Sequence, residues 1–193
     1  MVGHKNKYIY IHINKCAGTT IQYVLKNNYG GEYMYASEDV EHTGHKGHVT
    51  ASQYSTCSHW KEYFKFSFVR NPWCKELSDY KYYKKMKSKD IQFEEYLSRR
   101  TNLSKIKYWN SNQLDWLRSS NGIIELDYIG RFENLQHDFN VVCDRIGISR
   151  IDLPVKNKTV HEHYSEYYTG KCKDIVAERY AEDIKYFGYE FGQ

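Results

Sequence analysis

Lys15-Cys16-Ala17-Gly18-Thr19-Thr20 puts a mobile cation, a glycine and two hydroxyls into six consecutive positions. Such a group suits an oxyanion: the glycine lets the backbone approach a phosphate or sulfate closely, the threonines can donate, and the lysine adds positive charge. The ATP-binding P-loop carries its lysine after its second glycine, whereas here the lysine comes first, so the ordinary nucleotide-triphosphatase motif is not matched. Taken alone, the hexapeptide can also be read, with less weight, as a glycine-bearing turn with a solvated lysine. A second segment, Phe68-Val69-Arg70-Asn71-Pro72-Trp73, carries an arginine, with Ser78 a little further on. Arginine can grip a phosphate through two parallel hydrogen bonds, and a serine hydroxyl can add a third.

Both groups fall where a strand should hand over to a helix. Tyr8 to Ile13 is a β-rich apolar run, and Ile21, Val24 and Leu25 follow the loop at helical spacing. Phe64 to Val69 is a second buried strand, and Trp73 to Lys87 is helical, with Pro72 suited to a first turn. The carboxyl ends of strands in an open α/β sheet, facing helix N-termini rich in free N–H groups, are where such sheets take ligands. Further along, Ile123 to Ile129 predicts a strand, while Phe93 to Leu97 and Gln113 to Leu117 predict short helices. Leu135, Phe139, Val142 and Ile146 mark one face of a helix stopped by Gly147, and a last helix should run from Thr169 as N-cap to Phe187, with Gly188 beyond. Gly30 to Ser58 holds no periodicity and reads as a loop with one short helix covering a site. With no repeat or linker, residues 1–193 are expected to form one α/β domain with a mostly parallel central sheet flanked by helices.

Composition is compatible with this. The chain has 193 residues, enough for one core, and its 20 tyrosines explain a low mean hydropathy without disorder. A net charge of +4 suits an anionic ligand and falls short of a nucleic-acid footprint. Five scattered cysteines without a CxxC pair argue against a disulfide framework or zinc ribbon and for a reducing compartment. No run of about twenty apolar residues is present, so no membrane span is expected.

Taken together, the two segments resemble the sulfotransferase superfamily, in its small bacterial-type branch related to carbohydrate sulfotransferases. Ile11 to Thr20 resembles that family's 5′-phosphosulfate loop. FVRNPWCKELSDY, Phe68 to Tyr80, resembles its 3′-phosphate motif, with Arg70 and Ser78 in the phosphate-binding positions. His48-Val49-Thr50-Ala51, Gly130-Arg131-Phe132-Glu133-Asn134-Leu135 and Ala177 to Ile184 extend the match over nearly the whole chain. Two departures stand out: Asn14 where a proline is usual, and Cys74-Lys75 in place of a common Asp-Arg pair.

The resemblance implies a P-loop NTPase-like sulfotransferase fold and an enzyme that moves a sulfuryl group from 3′-phosphoadenosine 5′-phosphosulfate (PAPS) to an acceptor hydroxyl, on a carbohydrate. Lys15 to Thr20, with Arg70, Ser78 and Lys158, would bind the donor. Lys15 would stabilise charge on the bridging and leaving oxygens, and His48 would act as general base, with His45 or a carboxylate in reserve. His45 and Arg131 are candidates for the acceptor side, although an ion pair with Glu133 accounts for Arg131 equally well. Three histidines, His42, His45 and His48, at a spacing of three suggest zinc, but Gly44 and Gly47 break the helix that would gather them, and sulfuryl transfer needs no metal. The basic face Lys81, Lys84, Lys85, Lys87 and Lys89 could receive an anionic or sugar substrate; a solvated helix face explains it as well. No nucleic-acid or membrane partner is expected, and an unanchored member of this family points to the cytoplasm. Two rival readings stay open: a P-loop kinase acting on adenylylsulfate or another small molecule, and a non-catalytic nucleotide- or glycan-binding module of the same fold.

Overall fold

A computed structural model describes residues 1–33, 48–87, 90–103, 111–154 and 163–193. Along the chain run β1 (Val2–Gly3), β2 (Tyr8–Ile11), α1 (Gly18–Tyr29), α2 (Ala51–Tyr54), β3 (Phe64–Val69), α3 (Pro72–Lys87), α4 (Phe93–Leu103), α5 (Gln113–Leu117), β4 (Tyr128–Arg131), α6 (Leu135–Arg145), α7 (Gly170–Arg179) and α8 (Ala181–Phe187). Single 3₁₀ turns lie at Ser58–Lys61, Phe132–Asn134 and Tyr164–Tyr167. The chain forms two compact units, Met1–Val69 with Asp115–Lys158 and Arg70–Leu114 with Thr159–Gln193.

The first unit is built on a sheet of order β1-β2-β3-β4, in which β2, β3 and β4 run parallel and β1 pairs antiparallel to β2. Ile11 pairs with Ser67 and Val69 with Arg131, so the carboxyl ends of the parallel strands lie at one edge. Tyr8, Tyr10, Phe66 and Phe68 are fully buried in it, and aromatic packing between neighbouring strands, such as Tyr10 on Phe66 with centroids 5.1 Å apart, holds the register. Buried Ile21, Val24 and Leu25 on α1 and Phe139 and Val142 on α6 add to this core, α6 packing against β3 and β4. The foot of β4 is pinned where Asp127 accepts from the Lys65 backbone N–H at 2.7 Å and pairs with its ammonium at 2.8 Å.

The second unit is helical. Helices α3, α4 and α7 pack together around Trp73, Leu77, Tyr80, Tyr96 and Val176. Trp73 Nε1 donates to the Lys173 carbonyl at 3.1 Å, and the Tyr168 hydroxyl donates to the Trp73 carbonyl at 2.7 Å.

Three expected elements differ. The run Tyr8 to Ile13 is a strand only to Ile11, because the chain turns at the following loop. The last helix has Thr169 as its N-cap, accepting from the Cys172 N–H, but divides at Tyr180, whose φ of −113° and ψ of 30° are not helical. The strand expected over Ile123 to Ile129 forms only toward its end and beyond, as β4 at Tyr128–Arg131, and Ile124 makes only an isolated bridge to Arg118. Gly147 and Gly188 do stop their helices, with φ of 68° and 65° in the left-handed region that costs glycine least. Thr50 opens α2 with a capping box in which Gln53 reciprocates.

Candidate active site

In the first unit, β2 ends at Ile11 and α1 begins at Gly18, and the intervening loop carries two non-glycine residues in the left-handed region, Lys15 at φ 64° and Ala17 at φ 61°. L-residues resist that conformation by roughly 1 kcal/mol each or more. Left-handed residues alternating with an ordinary one, Cys16, turn successive backbone N–H groups toward one side and make an anion nest. The nest runs into the first turn of α1, whose amides, Gly18 and Thr19 among them, have no partners within the helix. Thr19 is exposed and Thr20 buried, Thr20 N–H already bonding to Ala17 O at 3.0 Å. Asn14, at the head of the loop, is buried with neither end of its side-chain amide hydrogen-bonded. A buried amide left unpaired costs on the order of 1–3 kcal/mol. Backbone twist and an orphaned amide together mark a loop shaped for something other than its own stability.

Gly18 has a further role that the sequence does not announce. A Cβ on it would lie 1.8 Å from the His12 ring, so the imidazole fills the space a side chain would take. His12 is only 7% exposed and its Nδ1 has no partner, while the Gln22 side chain hydrogen-bonds the ring. Burial above all, then the charges of His48, the chain's amino group and Lys15, hold its pKa well below the ordinary histidine range, against the opposing Gln22 bond. His12 is therefore a neutral ring under the loop.

His48 lies against it. The two ring centroids are 4.2 Å apart at 30°, and Trp116 of α5 closes on His48 at 6.0 Å edge-on. His48 Nδ1 stands 3.3 Å from the His12 carbonyl oxygen. A carbonyl can only accept, so Nδ1 carries the proton of this bond and a neutral His48 has its basic lone pair on Nε2. Arg131, at the carboxyl end of β4, is anchored by its backbone N–H to Asp138 Oδ2 at 2.6 Å. The first unit thus brings together the Lys15 loop and, through His12, His48.

In the second unit, Arg70 lies two residues before the start of α3. Its Nε and Nη2 donate to Cys74 Sγ at 3.3 and 2.9 Å, and Cys74 and half-buried Ser78 are one helical turn apart on one face of α3. Asn71 secures the turn, donating to the Glu190 carbonyl at 2.9 Å and accepting from Trp73 N–H at 3.1 Å. Arg70 is also tied through its backbone to Gln113, and Gln113 to Asp183, two residues absent from the sequence-level candidates. Asp183 accepts from Gln113 and Leu114 amides, and burial raises its pKa while those bonds and Lys75 oppose the rise. In the basic face of α3, Lys81 sits 4.1 Å above the Tyr167 ring and Lys84 pairs with Asp90 at 3.0 Å. His45, Lys89 and Lys158 lie outside the described residues. Among the described residues no cluster of three or more His, Cys, Asp or Glu could hold a metal ion, and no helix is long and apolar enough to cross a membrane.

His12, Gln22, Trp116, Gln113 and Asp183 were not legible as site residues. His12 reads as one more position of an apolar strand, and only its neighbours in space give it a role.

Against known proteins, the model of the sulfotransferase family matches residues 1–190. An uncharacterized protein of Archaeoglobus fulgidus is 34% identical over 98 residues, a stretch covering 50% of this chain and 78% of that one. A sulfotransferase from Alicyclobacillus acidocaldarius, known from its crystal structure, matches with a TM-score of 0.55 over 96% of each chain at 13% identity, which is a likeness of fold.

Proposed function

The chain belongs to the sulfotransferase family, and from that premise we propose that it moves a sulfuryl group from PAPS to an acceptor hydroxyl of a carbohydrate by in-line displacement. The observation that carries this reading is the loop before α1, where Lys15 and Ala17 hold the left-handed twist of an anion nest beside an orphaned Asn14 amide. Those residues fit an oxyanion, and a lysine at the nest suits the charge that gathers on a leaving phosphate.

The donor supplies the sulfuryl group and leaves as adenosine 3′,5′-bisphosphate. Around it, the amides of Cys16 to Thr19 and the hydroxyls of Thr19 and Thr20 hold the 5′-phosphate, and Lys15 offsets negative charge on the bridging and leaving oxygens, help that is often worth several kcal/mol when preorganised. Arg70 and Ser78 bind the 3′-phosphate, with Lys158 assisting. His48 takes the acceptor's proton at Nε2 as the oxygen attacks sulfur, its tautomer set by the His12 carbonyl. His45 and Arg131 serve the acceptor. The carbohydrate acceptor and the cytoplasmic setting rest on the likeness to small carbohydrate sulfotransferases.

Thermal stability with adenosine 3′,5′-bisphosphate, with ATP as control, tests the reading. At about a hundred times its dissociation constant the bisphosphate should add roughly 2.7 kcal/mol, and Lys15→Ala should reduce the gain. A larger shift with ATP, or none with the bisphosphate, would favour the kinase reading instead.

A further inference from the structure

Arg70 occupies a stretch of chain between β3 and α3 that belongs to neither, so nothing in a helix or sheet ladder fixes it. One buried side chain does that work. Arg70 N–H donates to Gln113 Oε1 at 2.8 Å, and Gln113 Nε2 donates back to the Arg70 carbonyl at 2.9 Å, a closed two-bond pair of the kind one strand makes with the next. Gln113 is itself clamped by Asp183, which accepts its backbone N–H at 2.7 Å, its Nε2 at 3.2 Å and the Leu114 N–H at 3.0 Å. Gln113 and Asp183 are both 0% exposed.

The amide orientation has no freedom. A backbone N–H can only donate and a carbonyl or carboxylate here only accepts, so Oε1 must face Arg70 N–H and both Nε2 hydrogens are committed, one to Arg70 and one to Asp183. At the other end of the residue, Cys74 Sγ accepts from Nε and Nη2, which fixes the plane of the guanidinium.

We propose that Gln113, backed by Asp183, and Cys74 are positioning residues that hold Arg70 preorganised for the 3′-phosphate of the nucleotide, Gln113 through the backbone and Cys74 through the guanidinium. This rests on the reading of Arg70 as a phosphate ligand. An arginine ordered in advance spends less of its binding energy on being immobilised, so loosening either tether should cost affinity for the 3′-phosphate and not for the rest of the nucleotide.

The test is calorimetric binding of adenosine 3′,5′-bisphosphate and of adenosine 5′-monophosphate, the ratio of the two dissociation constants measuring what the 3′-phosphate contributes. In Gln113→Met, which keeps length without hydrogen bonds, and in Cys74→Ala, that ratio should fall about fivefold to tenfold with monophosphate affinity unchanged. Cys74→Ser, which restores an acceptor, should recover most of it. Arg70→Ala should abolish the ratio, and if it leaves the ratio at the wild-type value, the phosphate role of Arg70 fails and this inference with it. Should Arg70→Ala abolish the ratio while Gln113→Met and Cys74→Ala leave it within about twofold of wild type, or weaken both nucleotides equally, the positioning role is overturned and Arg70 stands as ligand. If Gln113→Met does not fold, the Cys74 pair, on a half-buried helix position, decides the question.

Discussion

His48 owes its chemical competence to an atom of another residue. The His12 carbonyl accepts from Nδ1 at 3.3 Å, which leaves Nε2 as the nitrogen that can receive a proton. The His12 ring, tilted at 30° with its centroid 4.2 Å away, limits how the imidazole can turn. Replacing His48 by glutamine removes the proposed base and keeps a polar group of similar reach. His48→Gln should therefore bind adenosine 3′,5′-bisphosphate as the wild type does and lose about a hundredfold or more in turnover, the usual contribution of a positioned general base. Sulfation assays with the donor and a panel of sugar acceptors measure it, and turnover within a fewfold of wild type would remove His48 from the role.

The strand, loop and helix from Tyr8 to Tyr29 act as one element, and Gly18 is where its parts meet. By helix propensity alone, alanine at the start of α1 should gain up to about 1 kcal/mol over glycine. Packing points the other way: the new Cβ would stand 1.8 Å from the His12 ring, which is buried and has Tyr10 and His48 against it. Forcing a side chain into a filled interior costs typically 1–3 kcal/mol, so the packing effect wins. Gly18→Ala should be destabilised by about 1–2 kcal/mol in urea denaturation, and it should weaken bisphosphate binding because the nest amides move with the loop. A stabilised Gly18→Ala would show that the His12 ring yields at little cost.

For the whole molecule, the buried histidine ties stability to pH. His12 is held well below the ordinary range in the folded state, whereas its unfolded pKa is about 6.5. Between those values the unfolded chain binds a proton that the native chain does not, so stability is present above about pH 6.5 and is lost as pH falls. The slope from this one group is at most about 1.36 kcal/mol per pH unit. Urea unfolding at pH 7.5 and 5.5 should show the loss in the wild type and a shallower one in His12→Asn, which cannot titrate. Equal slopes in the two proteins would mean that His12 accepts a proton in the native state.

Much of this protein was written in local sequence. The glycine and threonines after an apolar strand, the arginine at the end of Phe64 to Val69, the Thr169 cap and the stops at Gly147 and Gly188 follow from period, capping and turn chemistry, which act over a few residues. The parallel sheet and the Lys15 loop followed from the same signals. What the tertiary structure alone decided is how distant residues share one task. His12, 36 positions from His48, fills the place of a side chain on Gly18, and Gln113 and Asp183, 70 positions apart, hold the backbone of Arg70. Period and capping report whether a residue is inward or outward and where an element ends. Which buried polar group satisfies which other is settled only when packing brings them within hydrogen-bond distance, because each must find a partner once water is excluded.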